Sequence, residues 1–402
     1  MSDAPSAPRR LVTPTYLLAI AAIHFYFVSY YMSLVEIPKD FAREPDWVIG
    51  LVVGALGIAG MISRPLVGVW VDAGHRQRWL RLGAIATIVA FGGYALDLGP
   101  WTALAFRALH GIAMGLFTTA LLAIVAGLLP DDRRGFGVGI YQTSNTVAGL
   151  YSAALAVWLL SAGSFELAYG VSAAAGVAAL LFGALVGDPD PPEASGAPRL
   201  PLRRRRWVSH TALLPAAVFL TVTTPFGAVT TFLPLFADER GLGNVGFFYT
   251  ALALAQLSAR SSSGWLSDRF GRGRVVAPAL LLAAAGLLVL ASAPAQPALL
   301  AAAALYGLGL AGTQTAIVAL IVDRSSRDAL GSSMATYTMA WDVGAAIGSV
   351  LLGAVAGATS YAGVFAACAV IPVGGVVLFL TAVRGTPRLG APRERTSAAA
   401  SD

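Results

Sequence analysis

The chain has 402 residues, of which 57% are hydrophobic and 12% are charged, and its mean hydropathy is +0.72. A soluble protein of this size needs a more charged surface to stay dispersed, so the composition excludes that class and favours a chain solvated by lipid. The net charge of +6 comes from arginine, because Lys39 is the single lysine, and the lone Cys368 excludes a disulfide framework.

Twelve apolar segments are long enough to cross the hydrocarbon core of a bilayer, which takes about 20 helical residues. In chain order they are 14–36, 47–71, 79–97, 101–129, 136–161, 165–187, 210–236, 243–266, 275–293, 297–322, 329–357 and 361–384. We therefore predict an all-α membrane protein with twelve transmembrane helices. A Pro-rich stretch after the sixth span ends in Arg203 to Arg206, which is typical of a linker with a lipid-facing basic cluster rather than a nucleic-acid patch.

The arginines predict the orientation, because cytoplasmic loops of membrane proteins are enriched in basic residues. If the N-terminus is cytoplasmic, the inside segments hold 21 basic residues and the outside segments hold three, namely Lys39, Arg43 and Arg240. We expect both termini in the cytoplasm and a multi-pass protein of the bacterial inner membrane. An even number of spans is required for that arrangement.

An internal repeat predicts how the spans are arranged. At a constant offset of 196 residues, Arg64 aligns with Arg260, Gly111 with Gly307 and Tyr141 with Tyr337. Since six spans separate each pair, the halves keep the same membrane orientation, as two pseudo-symmetric six-helix bundles around a central cleft. The predicted organisation is a tail over 1–12, an N-terminal bundle over 13–187, a linker over 188–209, a C-terminal bundle over 210–385 and a tail over 386–402.

Two loops and one helix carry a family resemblance. Residues 264–274 read GWLSDRFGRGR, residues 68–78 read GVWVDAGHRQR, and residues 107–111 read RALHG. The first stretch closely resembles the loop signature of the major facilitator superfamily, the second is a degenerate copy of it, and the third is similar to the family's fourth-helix motif. The resemblance covers nearly the whole chain and, among the branches, is nearest to bacterial efflux permeases. It implies the major facilitator fold and transport by alternating access.

The same loops predict a conformational latch. Glycine permits close helix approach, and a carboxylate at the C-terminus of its own helix needs another partner. The resemblance implies that this partner is a helix of the opposite half, in one state of the cleft. The predicted latch residues are Gly68, Asp72, Arg76, Gly264, Asp268, Arg269, Gly271 and Arg272. The alternative is a loop that serves only to orient the chain.

Ionisable groups at membrane depth are costly and usually functional. Asp342, in the middle of the eleventh span, is the preferred proton-coupling site, since a carboxylate there either carries a proton or pairs with a cation. Arg107 and His110 share one face of the fourth span, where Arg107 would contact an anionic substrate or tune a proton carrier. His24, in the first span, is either a proton relay or a packing residue.

Three further charged residues are expected to be structural. Arg64 and Arg260 should snorkel to the interface or pair locally, and Glu36 should be interfacial. Polar and aromatic side chains would line the rest of the cavity, although each could instead join helices. They are Tyr31, Gln142, Asn145, Gln256, Gln314 and Trp341.

No enzyme motif accompanies these features: a P-loop ending in GK[ST], a nucleophile elbow and metal-ligand spacings are absent from the sequence. We therefore expect no cofactor and no metal, and a monomer whose partners are protons, lipid and a small-molecule substrate. The predicted function is proton-coupled efflux of a small organic or amphipathic compound by antiport. The alternatives are proton-coupled uptake of a sugar or organic anion, and a membrane sensor that transports nothing.

Overall fold

The structure of the chain, a computed structural model, describes residues 12–73, 75–129, 134–188, 209–270, 272–325 and 330–384. These residues form long helices joined by short turns. In chain order the helices are α1 (Pro14–Asp40), α2 (Asp46–Ala73), α3 (Arg76–Ala95), α4 (Pro100–Leu128), α5 (Arg134–Gly149), α6 (Ser152–Ala162), α7 (Phe165–Leu185), α8 (His210–Arg240), α9 (Gly246–Phe270), α10 (Arg272–Ala291), α11 (Gln296–Arg324), α12 (Leu330–Ala358) and α13 (Tyr361–Arg384).

Local chemistry explains where several helices begin and end. Thr13 caps α1, because its side-chain oxygen accepts a hydrogen bond from the Tyr16 N–H at 3.1 Å. Pro100 opens α4 at the position where a missing N–H costs nothing. Gly241 ends α8 with a φ of 64°, a left-handed conformation that glycine adopts without strain.

The helices form two halves with matching internal contacts. In the N-terminal half (α1–α7), a Cβ at Gly111 of α4 would collide with the carbonyl oxygen of Leu56 in α2. In the C-terminal half (α8–α13), a Cβ at Gly307 of α11 would lie 2.7 Å from the carbonyl oxygen of Leu252 in α9. Gly307 and Leu252 each lie 196 residues after Gly111 and Leu56. The predicted offset therefore relates equivalent packing sites in the two halves. Glycine is required at both because the backbones touch.

All twelve predicted spans correspond to helices, with one correction. The fifth span is two helices, α5 and α6, separated at Leu150 and Tyr151. By length and composition, ten spans among the described residues could cross a membrane, and α3 and α9 are the two that do not meet this criterion. Their polarity explains this, since α3 starts with three arginines in six residues and α9 carries Gln256, Arg260 and Arg269.

The two ends of the bundle differ in charge, and we name them accordingly. The arginine-poor end is where α1 and α8 finish and α2 and α9 begin, next to Lys39, Arg43 and Arg240. The arginine-rich end is the opposite one. Among the described residues, the halves meet mainly where α2 packs on α12, with smaller contacts of α5 and α6 on α9 and of α1 on α8. We call this contact region the seam.

Candidate functional site

The seam is closed at the arginine-poor end. Lys39 Nζ of α1 lies 2.7 Å from Asp238 Oδ1 of α8, and the Tyr361 hydroxyl donates to Asp46 Oδ1 at 2.9 Å. Within the described ranges, the other hydrogen bonds that join the halves are those of Arg64 with Asp342 and of Thr250 with the Leu150 carbonyl oxygen.

Small residues bring the backbones together in the closed part of the seam. A Cβ at Gly54 of α2 would lie 2.7 Å from Val350 of α12, and one at Gly50 would collide with the Ser349 carbonyl oxygen. On the other side of the molecule, a Cβ at Gly246 of α9 would collide with the backbone of Ala154 in α6. These contacts leave no room for a side chain, so closure depends on glycine at these positions.

The two halves share a buried ion pair at mid-span. Arg64 of α2 donates from Nε to Asp342 Oδ2 and from Nη2 to Oδ1, the latter at 3.2 Å. Asp342 is 4% exposed and lies near the middle of α12. The mid-span location of this carboxylate is as predicted, but the prediction that Arg64 snorkels or pairs locally is wrong. The signal available in the sequence was that an isolated mid-span carboxylate calls for a cation at the same depth.

Two aromatic residues, Trp341 and Tyr30, lie next to this pair. Trp341 packs on Phe219 and Phe226 of α8, with ring centroids 5.9 and 5.2 Å away. Tyr30 of α1 lies close enough to Arg64 and Asp342 for both charges to act on its hydroxyl. Because apolar rings exclude water, the pair interacts more strongly here than an exposed pair does.

A second arginine reaches the seam from the C-terminal half. Arg260 of α9 is close enough to Tyr31 of α1 and Tyr337 of α12 for its charge to act on both hydroxyls. Gln314 of α11 lies near the buried Tyr337 hydroxyl, which has no hydrogen-bond partner among the described residues, and Tyr31 donates to Asn145 Oδ1 of α5 at 3.0 Å. The structure therefore brings three of the predicted lining residues, Tyr31, Asn145 and Gln314, close to Arg260, which is expected from the sequence to be structural.

Of the remaining lining candidates, Gln256 is half-buried on α9 one turn before Arg260, and Gln142 is exposed on α5. His24 lies inside the N-terminal half. Its Nε2 is 2.7 Å from the Tyr151 hydroxyl and its Nδ1 is 3.3 Å from the Ser144 carbonyl oxygen. Since both ring nitrogens have partners between α1 and the fifth span, this geometry favours packing, and a relay role for His24 stays a prediction.

Arg107 and His110 also lie inside the N-terminal half. Arg107 is 1% exposed, and its Nη1 donates to Ser33 Oγ at 3.0 Å. His110 is fully buried against Phe91, with Nδ1 at 3.5 Å from the Tyr94 hydroxyl. Every hydrogen-bond partner of either residue in the described part of the chain belongs to this half. Arg107 and Asp342 both lie within electrostatic range of the Tyr30 hydroxyl, so a cavity role for Arg107 and His110 stays a prediction.

Glu36 belongs to the same buried cluster, which corrects its prediction as an interfacial residue. Glu36 is fully buried, accepts a hydrogen bond from Ser172 Oγ at 2.8 Å, and lies within electrostatic range of Arg107. Glu36 Oε2, Arg107 Nε and His110 Nε2 have no hydrogen-bond partner among the described residues. Glu36, Arg107 and His110 thus form one buried polar cluster in the core of this half.

We predict that Arg107→Gln, measured at pH 9, lowers the free energy of unfolding by about 3 kcal/mol, because at that pH it leaves an ionised Glu36 buried without a cation. The double variant Arg107→Gln/Glu36→Gln should recover most of that loss. Thermal unfolding in detergent, with exposed Arg43→Gln as the control, measures both. Additive losses would mean that the two groups do not act as a pair.

The latch residues are described in part. Arg76 Nη1 lies 3.4 Å from Asp188 Oδ1 within the N-terminal half, and Arg269 is exposed at the end of α9. A Cβ at Gly68 would meet nothing within 4 Å among the described residues, and a close approach at Gly68 stays a prediction. Gly271 and the side chains of Asp72, Gly264, Asp268 and Arg272 lie outside the described residues.

Comparison with known proteins identifies the family of this chain. The family model for the Major Facilitator Superfamily matches residues 16–267 and again residues 244–401. The two matches overlap and together span nearly the whole chain.

Individual relatives are distant but cover most of the chain. The staphylopine export protein of Staphylococcus aureus strain Mu50 is 24% identical over 363 residues, covering 85% of this chain and 88% of that protein. The chloramphenicol resistance protein of Streptomyces lividans is 27% identical over 377 residues, covering 86% and 90%. The crystal structure of the human organic anion transporter MFSD10 matches with a TM-score of 0.66 at 15% identity, covering 92% of this chain and 100% of that one, which is a likeness of fold.

Proposed function

Given that the chain belongs to the Major Facilitator Superfamily, we propose that it is a proton-coupled antiporter that exports a small organic compound across the bacterial plasma membrane. Two relatives support export, since their names describe export of staphylopine and resistance to chloramphenicol. The distribution of basic residues supports an orientation with both termini in the cytoplasm. The arginine-poor end then faces the outside.

The conformation supports the direction of loading. The seam is closed at the arginine-poor end by Lys39–Asp238 and Asp46–Tyr361, so in the proposed orientation a substrate would reach the seam from the cytoplasm. An exporter binds its substrate from that side. In the opposite state the seam would open outside, and the loops containing Asp72 and Asp268 would act as the latch at the arginine-rich end.

The Arg64–Asp342 ion pair carries the proposal, because it joins the two halves at mid-span. Breaking such a buried pair by neutralising one partner costs about 3–5 kcal/mol. Moving a two-state equilibrium from 1:99 to 99:1 takes about 5.5 kcal/mol. Protonation of Asp342 therefore contributes a substantial part of the free energy that such a shift requires.

The same pair favours exchange over symport. While Asp342 is ionised and the cavity is empty, the pair holds the halves in the present state, so the empty carrier does not return. Either a proton on Asp342 or a substrate group that competes for one partner releases the halves. An antiporter requires that its empty form cannot switch between states, whereas a symporter requires that its empty form switches freely.

Flux through proteoliposomes tests this function. Radiolabelled chloramphenicol and a panel of small amphipathic compounds serve as probes in vesicles that contain the protein inside-out and have an acidic lumen. At least one probe should accumulate, and the accumulation should collapse with a protonophore and be absent from Asp342→Asn. Loss of accumulation in a neutral lumen is the matched control.

Two results would count against the proposal. Accumulation that requires an acidic exterior instead would indicate proton-coupled uptake. Absence of Asp342-dependent movement for every probe would favour a sensor that transports nothing.

A further inference from the structure

Arg260 and Arg64 occupy equivalent positions in the two halves. They are 196 residues apart, and the contacts around them repeat at the same offset. Gly50 of α2 abuts Ser349 of α12, and the equivalent Gly246 of α9 abuts Ala153 and Ala154 of α6. The two arginines therefore approach the seam from opposite sides at similar depth.

A second repeated contact fixes this correspondence closer to mid-span. A Cβ at Gly54 would lie 3.5 Å from the carbonyl oxygen of Ala346. At the equivalent place in the other seam, Thr250 Oγ1 donates to the carbonyl oxygen of Leu150. Both residues of the second contact are again shifted by 196 from their counterparts. The α2–α12 contact and the contact of α9 with the fifth span thus follow one pattern.

Arg64 has a carboxylate partner in the opposite half, whereas the equivalent position beside Arg260 has no carboxylate. Asp342 is the partner of Arg64, and subtracting the same 196 residues leads to Thr146 of α5, which is 2% exposed. Threonine carries no charge, so Arg260 lacks the ion pair that its counterpart has. In the described part of the chain, Arg260 makes no ion pair and donates no hydrogen bond, although it is half-buried at membrane depth.

The surroundings of Arg260 suit a carboxylate. A guanidinium in this position is costly without an anion, and its planar fork matches two carboxylate oxygens. Gln256 lies where Gly60 lies in the other half, and a Cβ at Gly60 would be 3.8 Å from the Asp342 carboxylate. The Gln256 side chain is thus directed to the neighbourhood of the missing carboxylate, with the Tyr31 hydroxyl on the facing helix.

We propose that the transported compound carries a carboxylate and that this group binds Arg260 in the place that Asp342 takes beside Arg64. The inference rests on the proposed transport function and narrows its substrate to organic carboxylates. The protein supplies one of the two ion pairs at the seam, and the substrate supplies the other.

Binding in detergent, without any gradient, tests the chemistry. The probes are acetate, hexanoate and benzoate, each beside its uncharged amide. At least one carboxylate should bind the wild-type protein, and its amide about tenfold more weakly or worse, because a charge-assisted hydrogen bond is lost. Arg260→Gln should weaken the carboxylate by a similar factor, whereas exposed Arg43→Gln should not. Equal binding of amides, unchanged binding by Arg260→Gln, or no binding of any carboxylate would overturn the proposal.

A charge placed at residue 146 tests the geometry without a ligand. Thr146→Asp should leave the thermal unfolding temperature unchanged or raised and should abolish carboxylate binding, because the new side chain occupies Arg260. The double variant Thr146→Asp/Arg260→Gln should unfold at a lower temperature than either single variant. Thr146→Asn is the neutral control and should keep binding. If Thr146→Asp changes the unfolding temperature equally with arginine and with glutamine at residue 260, residues 146 and 260 do not contact each other.

These results separate the inference from the proposed function. Asp342→Asn should keep Arg260-dependent carboxylate binding while losing proton-driven flux. Intact binding with no flux in the wild-type protein would count against transport alone. Intact flux of an uncharged compound that ignores Arg260→Gln would count against the carboxylate alone.

Discussion

Arg64→Gln is expected to lower the free energy of unfolding by about 3–5 kcal/mol, and Arg64→Gln/Asp342→Asn is expected to recover most of that loss. The single variant leaves a carboxylate that is 4% exposed without its cation. In the double variant the amides can hydrogen-bond to each other, so no charge is buried. Thermal or urea unfolding of the purified protein in detergent, followed by tryptophan fluorescence, measures the cycle.

Two control variants accompany this double-mutant cycle. Arg43→Gln removes an exposed arginine near the same end of the molecule and should change stability by less than about 1 kcal/mol. Asp342→Asn alone should be milder than Arg64→Gln, because a lone arginine can extend its long side chain towards the interface. A double variant that is as unstable as the sum of the singles would contradict a shared pair.

Gly50→Ala/Gly246→Ala is expected to shift the conformational equilibrium towards the state that is open at the arginine-poor end. A Cβ at either position meets backbone atoms of the opposite half, which cannot rotate away as a side chain can. Overpacking of this kind costs about 1–3 kcal/mol per site. Because only the closed seam contains the clash, two sites together should change the population ratio by about tenfold or more.

Spin labels report this shift as a distance. Arg43→Cys and Glu239→Cys place exposed labels on opposite halves at the arginine-poor end, in a Cys368→Ala background. The double glycine variant should populate a longer distance than the parent. Gly374→Ala is the matched control, since a Cβ there meets nothing within 4 Å. A distance distribution that is identical in all three proteins would mean that the seam does not open at this end.

Much of the fold follows from the sequence, because the helical spans are continuous apolar runs and the repeat keeps a constant offset. The prediction of an all-α, twelve-helix protein of the major facilitator type is confirmed, as is its assignment to a transporter family rather than an enzyme family. The break between α5 and α6 was missed, since no proline interrupts residues 136–161.

The candidate site was harder to predict than the fold. Residues 64 and 342 are 278 positions apart, and hydropathy does not indicate which faces of α2 and α12 meet. For the same reason the sequence does not indicate that Arg107 donates a hydrogen bond to Ser33 of α1. Depth in the membrane can be read from a helical sequence, whereas direction around the helix depends on its neighbours.

The most direct test of the account is the pH dependence of the Arg43→Cys/Glu239→Cys distance, measured with Asp at 342 and again with Asn. With Asp342 present, acidification should populate the longer distance, because protonation releases Arg64. With Asp342→Asn, the longer distance should be populated at both low and high pH. If the Asn variant instead keeps the pH response of the parent, the proton that moves the two halves binds elsewhere and the Arg64–Asp342 pair is not the coupling element.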